Sequence, residues 1–76
     1  PSGRAVDIMM PNGANDVALG DSIAAYLQAN ANSLNIEYLI WRQRIWINGD
    51  SGWTWMADRG GTTANHYDHI HVTVYS

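Results

Sequence analysis

The sequence predicts a small α+β domain in which one helix packs against an antiparallel sheet. Three observations support this fold class: short β-branched and aromatic runs, one stretch with helical apolar spacing, and a length of 76 residues. Apolar residues make up 46% of the chain, which is too many for a disordered segment. We therefore expect a single folded domain over residues 1–76.

The strands are predicted from apolar runs that alternate with period two. Residues 4–10 form the first run, and Pro11-Asn12-Gly13 is a turn signal that ends it. β-Branched and aromatic residues cluster at 36–41 and again at 44–47, which favours two more strands. The last strand is expected over residues 69–75.

One helix is predicted from about residue 21 to residue 33, after a loop over residues 14–20. Apolar residues recur there at spacings of three and four and form one stripe: Ile23, Leu27, Ala31 and Leu34. Asn35 suits the left-handed conformation that often ends a helix. Residues 50–65 are rich in Gly and Thr, so we expect a long loop with at most one short strand.

Composition argues against several classes of function. Four Arg, no Lys and seven Asp or Glu give a net charge of −3, which disfavours binding to nucleic acid or an anionic membrane. No apolar run is long enough for membrane insertion. The chain has no cysteine, so disulfides and thiolate metal sites are excluded. Domains this short often need a metal or a partner subunit, and both remain open.

The histidines are concentrated near the end of the sequence. All three, His66, His69 and His71, lie within six residues. In a strand, His69 and His71 point to one face while the apolar residues between them point to the other. An H-x-H pair on a strand brings both imidazoles within reach of one ion. The alternative is a pair of ordinary surface histidines, but the clustering favours a metal or catalytic site.

Asp7 is the complement of these histidines in the first strand. An Asp in mid-strand between apolar neighbours is unfavourable without a partner. If the first and last strands pair, Asp7 can face His71, and Asp with His is ligation typical of zinc. A salt bridge to Arg42 or Arg44 is an equal alternative.

Asp68 and His69 are the candidate general bases. Asp68 precedes His71 by three residues and can lie at the strand entrance, beside a metal-bound water. The alternative is an ordinary turn aspartate. His69 suits the same role, and the residues do not decide between the two. His66 and Tyr67 come just before and can support the site.

Two motifs resemble those of the D-alanyl-D-alanine metallopeptidases, within the lysostaphin/D-Ala-D-Ala/hedgehog superfamily. Pro1-Ser2-Gly3-Arg4-Ala5-Val6-Asp7 is similar to the end of the H-x-x-G-x-A-x-D motif. Asp68-His69-Ile70-His71 is similar to the carboxylate-x-x-His element and to the superfamily's H-x-H. Nearly the whole chain, including residues 40–46 and 58–67, resembles a C-terminal domain common in secreted or surface proteins of actinobacteria.

The resemblance implies a small antiparallel sheet with a flanking helix and a zinc ion on the open face. It implies Asp7 and His71 as zinc ligands, with Asp68, where relatives usually carry Glu, or His69 as the base. The motif's first ligand is a His seven positions before Asp7, one residue before Pro1. We therefore expect a domain truncated at its N-terminus, in which zinc binding is weakened or absent.

The function expected from this resemblance is that of a zinc-dependent, D-Ala-D-Ala carboxypeptidase-like hydrolase. It would act on peptidoglycan stem peptides as a peptidase or amidase, in a secreted or cell-surface location. Trp41, Arg42 and Tyr67 are candidate substrate-binding residues, and Arg42 could hold a substrate carboxylate. The alternatives are core packing for the aromatics and a solvated charge for Arg42.

Two other functions remain open at this point. One is a non-catalytic module of the same fold that binds cell-wall peptide or a metal without turnover. The other is an assembling fragment whose exposed strand edges pair with each other.

Overall fold

A computed structural model describes residues 4–61, 63 and 65–75. The elements in chain order are β1 (Ala5–Met9), a short 3₁₀ turn (Gly13–Asn15), α1 (Val17–Ala29), β2 (Ile36–Trp41), β3 (Arg44–Ile47), β4 (Thr54–Trp55) and β5 (His69–Val74). The strands form one five-stranded sheet, and every neighbouring pair is antiparallel. The predicted α+β class, with one α-helix beside an antiparallel sheet, is therefore confirmed.

The strand order places the last strand inside the sheet. The order is β1-β5-β2-β3-β4, so β5 lies between β1 and β2. The β1–β5 register sets Asp7 opposite His71 and Val6 opposite Val72. On the other side Ile40 of β2 lies opposite His71. Since directly paired residues share a face of a sheet, this register decides which side chains meet on it.

The core lies between α1 and one face of the sheet. Leu39 and Ile70 are fully buried there, and Val72 is 5% exposed. Trp41 is 1% exposed and donates its Nε1–H to Asp21 Oδ1 of α1 at 2.8 Å. The apolar face of the last strand therefore packs toward the helix, as its alternation predicted.

The helix begins and ends four residues earlier than the apolar stripe predicted. Residues 17–20, predicted as loop, are helical, and the helix ends at Ala29. Gly20 is a poor helix former, but it is buried against the Trp41 indole, and this packing outweighs its propensity. At the other end, the Asn30 side chain donates to the Tyr26 carbonyl as the chain turns away. No helix in the described part of the chain has the length and apolarity needed to cross a membrane.

A tight turn between β2 and β3 anchors the loop that precedes β5. Arg42 and Gln43 have φ of +52° and +65°, the conformation that two-residue hairpins require. Their backbone N–H groups donate to the carbonyls of His66 at 2.8 Å and Asn65 at 2.7 Å. The turn therefore fixes the position of His66. Within the 50–65 segment, residues 50–61, 63 and 65 contain one short strand, β4, in agreement with the prediction.

Candidate functional site

The face of the sheet opposite α1 carries a group of polar side chains, which we call the histidine cluster: Asp7, His66, Asp68, His69 and His71. β1 and β5 place Asp7, His69 and His71 on this face through their shared register. The Asp7 side chain is 51% exposed, whereas that of His69 is only 7% exposed. The cluster therefore opens to solvent at Asp7 and is closed at His69.

His71 is held between two oxygen atoms. Its Nδ1 lies 3.0 Å from Asp7 Oδ1, and its Nε2 lies 2.9 Å from Thr73 Oγ1. The Tyr38 ring stacks on the imidazole at a centroid separation of 5.9 Å. With a proton on Nδ1, His71 donates to Asp7. With the proton on Nε2 it donates to Thr73, and a lone pair then faces the carboxylate, an arrangement that favours a cation between them.

His69 is oriented by the carboxylate that precedes it. Its Nδ1–H donates to Asp68 Oδ1 at 2.8 Å, while Thr63 donates its hydroxyl to Asp68 Oδ2 at 2.9 Å. The His69 hydrogen bond, with a smaller contribution from Thr63, holds the pKa of Asp68 below its usual value. Asp68 therefore stays ionised at neutral pH and keeps Nε2 of His69 directed toward Asp7 Oδ1, at 4.0 Å.

His66 lies over the rings of His69 and His71. It has φ of +61°, and its ring centroid lies 4.6 Å from that of His69 and 5.7 Å from that of His71. Burial, reinforced by its two histidine neighbours, lowers the pKa of His66. Its Nδ1 is buried and has no hydrogen-bond partner among the described residues. The imidazole is therefore neutral at pH 7 and has one nitrogen without a partner.

The cluster fits a metal ion in donor chemistry but not in donor number. A carboxylate with imidazoles suits zinc, and ligand atoms bound to one zinc ion lie about 3.3 Å apart, close to the Asp7–His71 separation. The far nitrogens of His69 and His71 are held by oxygens, as metal-ligating histidines require. Among the residues that the structure describes, however, no three His, Asp or Glu side chains are spaced to hold one ion.

The Arg42 guanidinium lies near both of the other candidate substrate-binding residues, Tyr67 and Trp41. The Arg42 guanidinium lies 4.8 Å from the centre of the Tyr67 ring, and the Tyr67 hydroxyl donates to Gln43. Both residues are half-buried at the β2–β3 turn, next to the loop that carries His66. Trp41 lies in the core on the other side of the sheet. The Arg42 guanidinium also lies 5.9 Å from the centre of the Trp41 ring, and its Nη1–H donates to the Ala14 carbonyl at 3.5 Å. Of the three candidates, only Tyr67 adjoins the cluster, since it lies between His66 and Asp68 in the chain.

The sequence did not single out the residues that hold the histidines in place. Tyr38, Thr63 and Thr73 contact His71 or Asp68, and none of the three was proposed for the site. Period-two alternation places Thr73 on the face of His71, so the pattern contained that signal. Thr63 depends on a loop path that no periodicity describes. The motif residues Pro1, Ser2 and Gly3 lie outside the described residues.

A cavity of about 240 Å³ lies on the opposite face of the sheet, between α1 and β3. Trp41, Arg44 and Trp53 form one wall, and Asp21, Ala24, Ala25 and Gln28 form the other. No residue of the histidine cluster lines it. This cavity and the candidate chemical site are therefore separate features of the molecule.

Comparison with known proteins gives one family match and one distant relative. The chain is 36% identical over 56 residues to a protein of Arthroderma benhamiae named "Uncharacterized secreted protein". That match covers 66% of this chain and 23% of the relative, so the chain spans about a quarter of the protein it matches. No solved structure matches. The family described as "VldE, C-terminal domain" matches residues 1–67, and the chain belongs to that family.

Proposed function

We propose that the histidine cluster is the hydrolytic site of a zinc-dependent peptidase or amidase acting on peptidoglycan stem peptides. One observation carries the proposal: His71 Nδ1 and His69 Nε2 converge on the same Asp7 oxygen, at 3.0 and 4.0 Å. Each imidazole has its other nitrogen held by an oxygen. This arrangement directs the His71 lone pair to a cation that Asp7 would share, and it leaves Nε2 of His69 beside the same oxygen.

Asp7 and His71 are the residues that would hold the metal. The resemblance to D-alanyl-D-alanine metallopeptidases implies a third ligand, a histidine seven positions before Asp7. A bound zinc ion would polarise the scissile carbonyl and lower the pKa of a water molecule. Because two donors give weak binding, zinc affinity is expected to rise when the chain is extended so that a histidine stands seven positions before Asp7.

His69 is the better placed of the two candidate bases. Both Asp68 oxygens already accept hydrogen bonds, from His69 and Thr63. Nε2 of His69 is the atom that faces Asp7, and it can accept a proton there. The ionised Asp68 then stabilises the imidazolium that forms. In this assignment His69 moves the proton, and Asp68 holds the His69 ring in position.

Substrate would approach from the solvent side, over Asp7. Arg42, stacked on Tyr67, presents a guanidinium that could pair with a carboxylate of the peptide. The printed name of the fungal relative includes "secreted", which supports a location outside the cell, where peptidoglycan is accessible.

Zinc affinity measured by calorimetry tests the metal site. The measurement is made on this chain and on a longer polypeptide, extended at the N-terminus by a short segment that places a histidine seven positions before Asp7. Asp7→Asn and His71→Gln should each lower zinc affinity at least tenfold, because the first removes the anionic ligand and the second removes the imidazole. Thr73→Val should cost about tenfold by freeing the far nitrogen of His71. Thr54→Val, an exposed threonine of β4, is the matched control and should have no effect.

Activity is tested on an acyl-D-Ala-D-Ala peptide with the zinc-loaded longer polypeptide. His69→Gln should abolish turnover while zinc affinity stays within a few fold, because His69 moves a proton and does not bind the ion in this assignment. Zinc binding without turnover on any stem peptide would instead support the non-catalytic metal-binding module. If neither polypeptide binds zinc, the proposal is wrong.

A further inference from the structure

The cavity between α1 and β3 is built from side chains that the histidine cluster does not use. Trp41, Arg44 and Trp55 are direct cross-strand neighbours on β2, β3 and β4, so they line up on the helix-side face. Trp53 lies beside them and is tied to α1, because its Nε1–H donates to Gln28 Oε1 at 3.3 Å. The cavity therefore has rigid indole surfaces on the sheet side.

Small residues of α1 keep the space open. Ala24 and Ala25 line the helix side, where longer side chains would fill the gap. At about 240 Å³ the volume is below the usual range for drug-sized ligands and suits one sugar ring or about two amino acids. An occupant of this size would contact both the helix and the sheet.

Arg44 is the unusual member of the lining. Its guanidinium carbon lies 5.9 Å from the centre of the Trp53 ring and 5.5 Å from that of Trp55. Its Nε is buried with no hydrogen-bond partner, and no carboxylate lies within ion-pair distance of it in the part of the chain that the structure describes. A buried donor without a partner is costly, so a ligand acceptor or a water is expected there.

The helix side of the cavity carries an acidic group, Asp21, in contrast to the basic Arg44 on the sheet side. Asp21 accepts the Trp41 indole N–H through Oδ1, which fixes the carboxylate at the mouth of the cavity. Its second oxygen is available as an acceptor for a hydroxyl or an amide N–H. Gln28 lies on the same helix about two turns further along and adds an amide group.

We propose that this cavity, which we call the Arg44 pocket, binds a small carboxylate-bearing ligand. The carboxylate pairs with the Arg44 guanidinium, and the body of the ligand packs against the Trp53 and Trp41 indoles while its donor groups face Asp21. The fork of a guanidinium matches a carboxylate through two parallel hydrogen bonds. Two sources share this chemistry: the free C-terminus of a short peptide and a carboxylated sugar.

The pocket is independent of the proposed zinc site, since the two lie on opposite faces of the sheet. A ligand could therefore bind here whether or not the histidine cluster holds a metal. This separation also lets the two proposals fail separately, because the test below needs neither zinc nor turnover.

The test is a titration of the ¹⁵N-labelled chain, followed through its indole N–H signals. Two pairs of probes are compared: acetyl-Ala-Ala against acetyl-Ala-Ala amide, and glucuronate against glucose. In each pair only the first compound carries a carboxylate. We expect one acid to shift the Trp41 and Trp53 signals, with its neutral analogue binding at least about tenfold more weakly. Trp46, which does not line the cavity and whose indole N–H donates to the Asp50 carbonyl, is the internal reference and should shift less than Trp41 and Trp53.

A pair of arginine variants locates the carboxylate. Arg44→Gln should weaken binding of the acid about tenfold or more, while Arg59→Gln, the same change at an exposed loop position, should leave it unchanged. The preferred acid identifies the source, peptide or sugar. If each acid binds no better than its neutral analogue, or if neither acid binds, the proposal is overturned. That comparison decides the matter even if Arg44→Gln does not fold.

Discussion

Gly20 is the residue on which the contact between helix and sheet depends. A Cβ added there would overlap the Trp41 indole. Trp41 cannot move aside freely, because it is buried and its Nε1–H is bonded to Asp21. The absence of a side chain at one helical position therefore lets the largest core residue lie flat against α1.

Gly20→Ala should lower the free energy of unfolding. Overpacking costs about 1–3 kcal/mol, and the better helix propensity of Ala returns at most about 1 kcal/mol. The urea midpoint measures the difference. Gly52→Ala is the matched control, since a Cβ there meets nothing within 4 Å, and it should change the midpoint little. A stabilised Gly20→Ala variant would contradict the described packing.

Single-residue predictions from the sequence succeeded where alternation alone decides the outcome. Period two placed His69 and His71 on one face and Ile70 on the other, because a strand leaves no third choice. It could not show that His66, outside any strand, lies over both histidines. That position depends on the Arg42–Gln43 turn and its bonds to the preceding loop, which involve residues more than 20 positions apart.

Among the elements, the connection from α1 to β2 depends on a left-handed residue. Asn35 has φ of +60°, and its side-chain N–H donates to the Tyr75 carbonyl at 2.9 Å. Its own carbonyl accepts the Tyr75 N–H at 3.0 Å. The residue thus both turns the chain into β2 and ties it to the end of β5.

Asn35→Ala and Asn35→Gly separate these two roles. Both variants lose a side-chain hydrogen bond, worth about 1 kcal/mol. Ala is also strained at positive φ, whereas Gly is not, so we expect Asn35→Ala to be less stable than Asn35→Gly by about 1 kcal/mol. Thermal denaturation of the two proteins gives the comparison. Equal stabilities would mean that the left-handed conformation is not required.

The sequence predicted the number and type of the elements, but it placed the helix four residues too late in the chain. The stripe from Ile23 to Leu34 has helical spacing, yet its last members lie beyond the helix end. Ala31 is buried there in a turn, where its carbonyl accepts the Ile36 N–H at 2.8 Å. A buried alanine after a helix gives the same apolar signal as one inside it, so spacing alone cannot locate the boundary.

At the scale of the whole molecule, the loop before β5 is held by a carboxylate that titrates at acid pH. Asp58 accepts hydrogen bonds from the Asn65 side chain at 2.8 Å and from the Gly60 backbone at 2.8 Å. These two hydrogen bonds lower the pKa of Asp58, and the bond from Asn65 has the larger effect. Asn65 is itself buried and receives the Gln43 N–H, so this carboxylate supports the junction of loop and sheet.

Asp58 should therefore stabilise the fold above its unfolded pKa, about 3.9, and lose this contribution as the pH falls through its lower folded pKa. Urea midpoints of the natural chain and of Asp58→Asn should differ by a constant amount above about pH 5. The two should converge as the pH falls through the folded pKa of Asp58, because below it the aspartate is protonated in both states. A difference in midpoint that does not change with pH would show that the ionised Asp58 carboxylate is not what stabilises the loop.

The interior position of β5 has a consequence for how the protein is made. A ribosome synthesises α1 and the β2–β3 hairpin long before His69, and β1 has no neighbour in the sheet until β5 emerges between them. Asp7 therefore cannot contact its partner, His71, until 64 more residues have been synthesised. A nascent chain that stalls before β5 thus exposes two unpaired strand edges, so chaperone contact and proteolysis are expected to concentrate in that interval of translation.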